Sequence, residues 1–256
     1  ISNNPLISVD NIYGGNNKGG STNDSTVDVR GGTIGNIYGG GNEAVVDMPN
    51  VQVQNATVNN IYGGGNMAGI NGDTKVTIKN SNINTNIYGG GNYGTVAGNT
   101  KVVITSSTIL GSAYGGGNGS SAIVDRNTEI TVEGNTVIGS TTSKAPHQGC
   151  LFGGGNAAAT GTEEKNNSIA TVNVVGAKIY GNVYGGANTS VVYGKTDTNI
   201  GMNAVKDNTL EETSIDIGGT VFGGGEANAA GDENYDFSFI SVTGAIDIDI
   251  DGKGYI

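Results

Sequence analysis

The sequence predicts an all-β chain wound as a single right-handed parallel β-helix of about eight or nine coils, with three short strands per coil. Three observations predict it: one motif recurs eight times, its first five copies lie 24–26 residues apart, and 47 of the 256 residues are glycine. The copies are NIYGGN at 11–16, NIYGGGN at 36–42, 60–66 and 86–92, SAYGGGN at 112–118, LFGGGN at 151–156, NVYGGAN at 182–188 and VFGGGE at 221–226. A usual glycine share is about 7 %, and each glycine costs roughly 1 kcal/mol inside a helix, so helices are disfavoured. With three prolines and no glycine at every third position, collagen is excluded.

In chain order, residues 1–12 start or cap the first rung, 13–231 carry the repeats, and 232–256 supply a last rung and a C-terminal cap. After each motif comes a variable loop and then an alternating strand, at 26–29, 51–53, 74–78, 101–104, 129–132, 171–174 and 214–217. A small polar turn follows, and a second short strand around Ile34, Val58, Ile83, Ile109 and Val137 leads into the next motif. Period-2 alternation puts one face in and one face out. One coil of 25 residues cannot bury its own inward face, whereas stacked coils bury a continuous Val/Ile column. Like strands then pair in parallel about 4.8 Å apart, and the crossover preference sets the right hand. Gly39, Gly40, Gly41 and their equivalents are expected to supply positive φ at the corners. Asn42, Asn66, Asn92, Asn118, Asn156 and Asn188 suit the same corners and can bond to one another as a ladder. The longer periods place insertions at about 139–149, 157–168 and 189–212, all in the C-terminal half, and solenoid insertions often form the binding face.

The net charge of −11 disfavours nucleic acid and anionic membrane as partners. No stretch approaches the roughly 20 apolar residues of a membrane helix, so no membrane insertion is expected. The single cysteine, Cys150, cannot form an internal disulfide. The chain opens Ile-Ser-Asn-Asn without a basic, then apolar, leader, and reads as a mature form from which a targeting signal has been removed.

The YGGGN period resembles large repeat-built adhesin-like proteins of the bacterial cell surface. More broadly the chain is similar to the right-handed β-helix superfamily of pectate lyases, polygalacturonases, autotransporter passengers and phage tailspikes. The resemblance spans about residues 8–226 and implies an exported, extracellular or cell-surface protein facing polysaccharide or host glycan. It does not imply one activity, because this fold hosts many.

Two sets of residues are candidate sites. Tyr13, Tyr38, Tyr62, Tyr88, Tyr114 and Tyr184, with Phe152 and Phe222 at the same motif position, form a column. If Ile37, Ile61 and Ile87 point inward, alternation turns the following ring outward as a platform for the apolar face of a sugar. The alternative is that the rings cover the glycine segment as structure. Asp247, Asp249 and Asp251 would project from one strand face, either as a weak Ca²⁺ site or as a solvated edge that resists pairing. No catalytic residues and no other cofactor are expected: only Arg30 and Arg126 are arginines, no two aspartates are adjacent, and His147 with Cys150 lacks a third group. The function expected is a non-enzymatic binding or adhesion module, monomeric within a larger chain, that contacts carbohydrate through the aromatic column or the C-terminal-half loops. The alternatives are a purely structural stalk and a polysaccharide lyase or hydrolase.

Overall fold

A computed structural model of the chain describes residues 7–142, 148–201, 214–226 and 242–250. All described regular structure is β, and every strand pairing is parallel. One sheet of eight strands runs in chain order through Lys18–Val29, Glu43–Gln54, Thr74–Lys79, Thr100–Thr105, Thr128–Glu133, Ser168–Val174, Gly194–Ile200 and Ile246–Ile250. The other sheet has 13 strands. It begins as single strands, Ser8–Tyr13, Thr33–Tyr38 and Thr57–Tyr62. It then forks into a stack of second strands (Asn82–Ile83, Thr108–Ile109, Thr136–Ile138, Ala177–Ile179, Ile215–Ile217) and a stack of aromatic strands (Ile87–Tyr88, Ala113–Tyr114, Leu151–Phe152, Val183–Tyr184, Val221–Phe222). A further line of single-residue bridges climbs the remaining corner through Val46, Ile70, Val96, Val124, Thr160, Val192 and Val242. The chain is therefore a parallel β-solenoid. Its aromatic residues mark eight levels and seven steps from Tyr13 to Phe222, about seven turns rather than the eight or nine expected.

The inward face is what the alternation predicts. Val76 and Ile78 sit over Val102 and Ile104, which sit over Ile130 and Val132, all fully buried. Ile34, Val58, Ile83 and Ile109 face them from the second-strand stack. Burial of one such side chain contributes about 1.5–3 kcal/mol, and in-register stacking gives every interior coil the same contribution.

The motif glycines hold the corner for a different reason from the one expected. None of Gly39, Gly40 or Gly41 has positive φ, and neither do their equivalents in the next coils. Positive φ instead falls on the corner after the eight-stranded sheet, at Asn55 (53°), Asn80 (48°), Ser106 (49°) and Asn135 (62°). At the motif the constraint is closeness. A Cβ on Gly63 or Gly89 would land on the carbonyl oxygen of the equivalent glycine one coil on, Gly89 or Gly115. A Cβ on Gly40 or Gly64 would lie 2.8 Å from the amide nitrogen of Gly65 or Gly91. Backbones approach this closely because the coils bond directly at the motif: Gly63 N–H donates to Tyr88 O at 2.9 Å and Gly64 N–H to Gly90 O at 3.0 Å.

Three strand assignments change. Residues 214–217 were expected as an alternating strand equivalent to 171–174, but Ile215–Ile217 pairs with Ala177–Ile179 as a second strand. The place beside 171–174 is taken by Gly194–Ile200, whose Thr196 and Thr198 are buried where other coils carry Thr, Ala, Val or Ile. The third insertion accordingly starts after Ile200 rather than at 189, and 202–213 lie outside the described residues. In the fifth coil the buried residue of the second strand is Ile138 and not Val137. The expected last rung is present at Ile246–Ile250, in register with Thr196–Ile200; 227–241 and 251–256 lie outside the described residues.

Replacing Gly89 by Ala forces the Gly115 carbonyl to move, and overpacking of this kind costs about 1–3 kcal/mol. The unfolding free energy of Gly89→Ala from urea titration should fall by that amount, with the midpoint falling in proportion, while Met67→Ala, at an exposed position, should stay within about 0.5 kcal/mol of the parent.

Candidate functional site

The aromatic column exists, with a geometry that differs from a platform. From Tyr13 to Phe222 successive ring centroids are 4.7–5.1 Å apart and the planes differ by 3–8°. Coplanar neighbours would collide at that spacing, so the rings lie face against face and the column presents edges. Tyr38 and Tyr62 are 7 % exposed, Tyr88, Tyr114 and Tyr184 3 %, and Phe152 none. Tyr13, at the first level, is partly buried and packs against the same cluster, and Phe222, at the last, is exposed. The alternation rule fails here because the strand ends at the ring: Ile61 and Tyr62 are consecutive and both buried, one in the Val/Ile core and the other in a second, aromatic core. The outward platform for sugar faces is thus corrected to a stacked core, each ring pair adding about 0.5–1.5 kcal/mol beyond its buried area.

Two side-chain ladders flank the rings. After the glycines, Asn66 Nδ2 donates to Asn42 Oδ1 (2.8 Å), Asn92 to Asn66 (2.9 Å), Asn118 to Asn92 (2.9 Å), Asn156 to Asn118 (2.8 Å) and Asn188 to Asn156 (2.8 Å). Asn188 Oδ1 is buried without a partner among the described residues, and the next rung carries Glu226. The second ladder stands two residues before each ring and was missed at the sequence level, although the recurring Asn of NIYGG is its signal. Asn36 Nδ2 donates to Asn11 (2.9 Å) and Asn60 Nδ2 to Asn36 (3.0 Å). Asn86 Nδ2 and Asn182 Nδ2 donate to the hydroxyls of Tyr88 (3.0 Å) and Tyr184 (2.7 Å). Where the ring is Phe152 or Phe222, with no hydroxyl, this position is Cys150 or Thr220, with no amide.

Cys150 is therefore a ladder residue. Its N–H donates to Ser112 Oγ (3.1 Å), its Sγ accepts from Asn182 N–H (3.3 Å), and burial raises its thiol pKa above the ordinary value. That disfavours the thiolate a nucleophile needs; His147 lies outside the described residues. Of the acidic set, Asp247 stands in register with Asp197, and Lys195 reaches both, at 3.0 Å to Asp197 and 3.7 Å to Asp247. Asp249 stands beside Asn199. Asp251 lies outside the described residues, and among those described no three His, Cys, Asp or Glu side chains group as a metal site.

Two clefts on the described surface are lined mainly by polar side chains. One, of about 440 Å³, lies at the first insertion between Asn84, Leu110, Ser140 and Gln148. The other, of about 360 Å³, spans three coils just before the eight-stranded sheet and is lined by Asn99, Asp125, Arg126, Asn127, Lys165, Asn167 and Ser168. Its floor is fixed: Asn99 donates twice to Asp73 Oδ1 (2.7 and 3.0 Å), Asn127 N–H donates to Asn99 Oδ1 (3.2 Å), and Asn127 Oδ1 accepts from Ile169 N–H (2.9 Å). Lys165, carried on the turn of the second insertion, pairs with Asp125 at 2.6 Å.

Comparison with protein-family models, with curated proteins and with solved structures finds no match. The class of protein is accordingly the one its own coordinates define, a parallel β-solenoid built on stacked aromatic, glycine and asparagine columns.

Burial raises the phenol pKa of Tyr38, Tyr62, Tyr88, Tyr114 and Tyr184 above the ordinary value near 10. A pKa higher folded than unfolded gives stability that is complete below the unfolded value and is lost as pH rises beyond it. Tyrosinate absorbance should therefore show these five rings silent through pH 10, then ionising together as the fold is lost. Independent ionisation of all five near pH 10 in a folded chain would contradict the packing.

Proposed function

We propose that this chain is a non-enzymatic, rod-like binding module of an exported surface protein, and that it contacts glycan from the side of the rod in its C-terminal half. The supporting observation is the division of labour among its residues. The side chains that repeat face the core or one another: rings on rings, Asn on Asn, Val and Ile inward. The second insertion breaks the repeat, and beside it lies a fixed polar cleft. Glycan contact through the tyrosine column is set aside, because sugars stack on ring faces and these faces are covered.

The carboxylates favour a structural over an acid–base role. Glu129, Asp125, Asp216 and Asp197 each pair with a lysine, at 2.9, 2.6, 2.7 and 3.0 Å, and the first three of these pairs cross between coils. Such exposed pairs contribute about 0–1 kcal/mol each. A purely structural stalk is the second reading, favoured by a ring column that runs from rung to rung through seven steps.

A glycan array with the intact chain tests the proposal. Binding is expected, and shortening 162–167 to two glycines should abolish it while changing the unfolding free energy by no more than about 0.5 kcal/mol. Absence of binding to any glycan favours the stalk, and turnover of a polysaccharide contradicts the non-enzymatic reading.

A further inference from the structure

Resting on the binding-module reading, we infer that the cleft at Arg126 takes a sugar acid, a saccharide carrying an isolated carboxylate. Arg30, the other arginine, is neutralised by Asp28 at 2.8 Å. Arg126 is exposed and forms no ion pair among the described residues. Asp125 beside it is held by Lys165 at 2.6 Å. The charged lining of the cleft is thus two cations and one anion, on a chain whose net charge is −11. An uncompensated guanidinium in an acidic protein has no shortage of carboxylates to pair with, yet this one faces a concavity.

The chemistry of the lining narrows the ligand. A guanidinium presents a planar fork of donors that matches a carboxylate in bidentate fashion. Around it stand Asn127, Asn167 and Ser168, with no aromatic or aliphatic side chain in the lining. Asn127 uses its Oδ1 on Ile169 N–H, and its Nδ2 has no partner among the described residues. Groups of this kind satisfy ring hydroxyls and offer little to an apolar ligand. The volume, about 360 Å³, lies at the small end of the range for small-molecule sites, about 300–1,000 Å³. The global charge then selects for few charges on the ligand, because a polyanion would be repelled by the rest of the surface.

The test is an amide NMR titration of the intact chain with three probes: a disaccharide ending in glucuronic acid, the same disaccharide with the carboxyl reduced to CH₂OH, and acetate. The acidic disaccharide should shift the amides of 125–127 and 165–168, with affinity falling at least tenfold in Arg126→Gln and in part recovered in Arg126→Lys. The reduced disaccharide and acetate should each bind at least tenfold more weakly, one lacking the charge and the other the hydroxyls. Because Arg126 is exposed, the Gln variant's spectrum away from the cleft reports that it is folded. Equal binding of the reduced disaccharide overturns the sugar-acid inference and leaves the binding module standing. Undiminished binding by Arg126→Gln, acetate binding as tightly as the disaccharide, or shifts elsewhere on the rod also overturn it. No shift with either sugar overturns the inference and counts against the module.

Discussion

Everything in this molecule depends on the approach of one coil to the next at the glycine corner. There the backbones bond directly, and at the first two motif glycines the space left for a side chain is less than a methyl group requires. That contact fixes the rise per coil, and the rise fixes what each column can hold. Rings separated by 4.7–5.1 Å stack; amides at the same repeat bond head to tail; Val and Ile pack on one another in register. A residue is admitted only if it can sit on a copy of itself or on a close substitute. Hence Ala187 is tolerated at the third motif glycine, where it is buried at 1 % exposure, and Ser112 and Cys150 are tolerated in the second ladder.

The same rule explains how the ends and gaps are handled. A ladder of amides propagates while each rung donates to the rung below and accepts from the rung above, and it stops where the next rung cannot donate. Glu226 is such a stop: below it, Asn188 Oδ1 is left buried and unpartnered among the described residues. Burying a polar atom without a hydrogen bond costs about 1–3 kcal/mol, so the break is energetically real. It falls at the last motif of the series, where the repeat itself ends.

Much of this was legible in the sequence, because a period of 24–26 residues with an invariant aromatic-glycine core leaves few folds able to use it. The Val/Ile alternation placed the inward face of the eight-stranded sheet correctly in coils one to six, while the second strand of the fifth coil is one residue out, at Ile138 rather than Val137. Local rules failed at three kinds of place. Alternation sent Tyr38, Tyr62 and Tyr88 outward, but it holds only within a strand, and the strand ends at the ring. Glycine suggested positive φ, whereas proximity was the cause, and proximity between coils has no signature within one coil. The seventh coil was misread because its alternating strand, Gly194–Ile200, carries Thr196 and Thr198 inward and so lacks the Val/Ile signal that Ser214-Ile215-Asp216-Ile217 imitates. The Arg126 cleft could not be read at all: Asn99, Arg126 and Asn167 come from three coils of unequal length, and the sequence gives no reason to join them.

The central claim is that equivalent residues of neighbouring coils sit directly over one another, and disulfide trapping measures it most directly. Lys75 and Lys101 are register partners on the outward face, at the parallel-strand spacing of about 4.8 Å, within the Cα range of about 4.4–6.8 Å that a disulfide accepts. Val103, two residues further on, lies at about 8 Å from Lys75 by the same strand geometry, beyond that range. With Cys150 replaced by Ser, the chain carrying Lys75→Cys and Lys101→Cys should cross-link rapidly and completely under mild oxidation, and the chain carrying Lys75→Cys and Val103→Cys should not. Efficient trapping of the 75/103 pair with none at 75/101 would contradict the register on which the whole account stands.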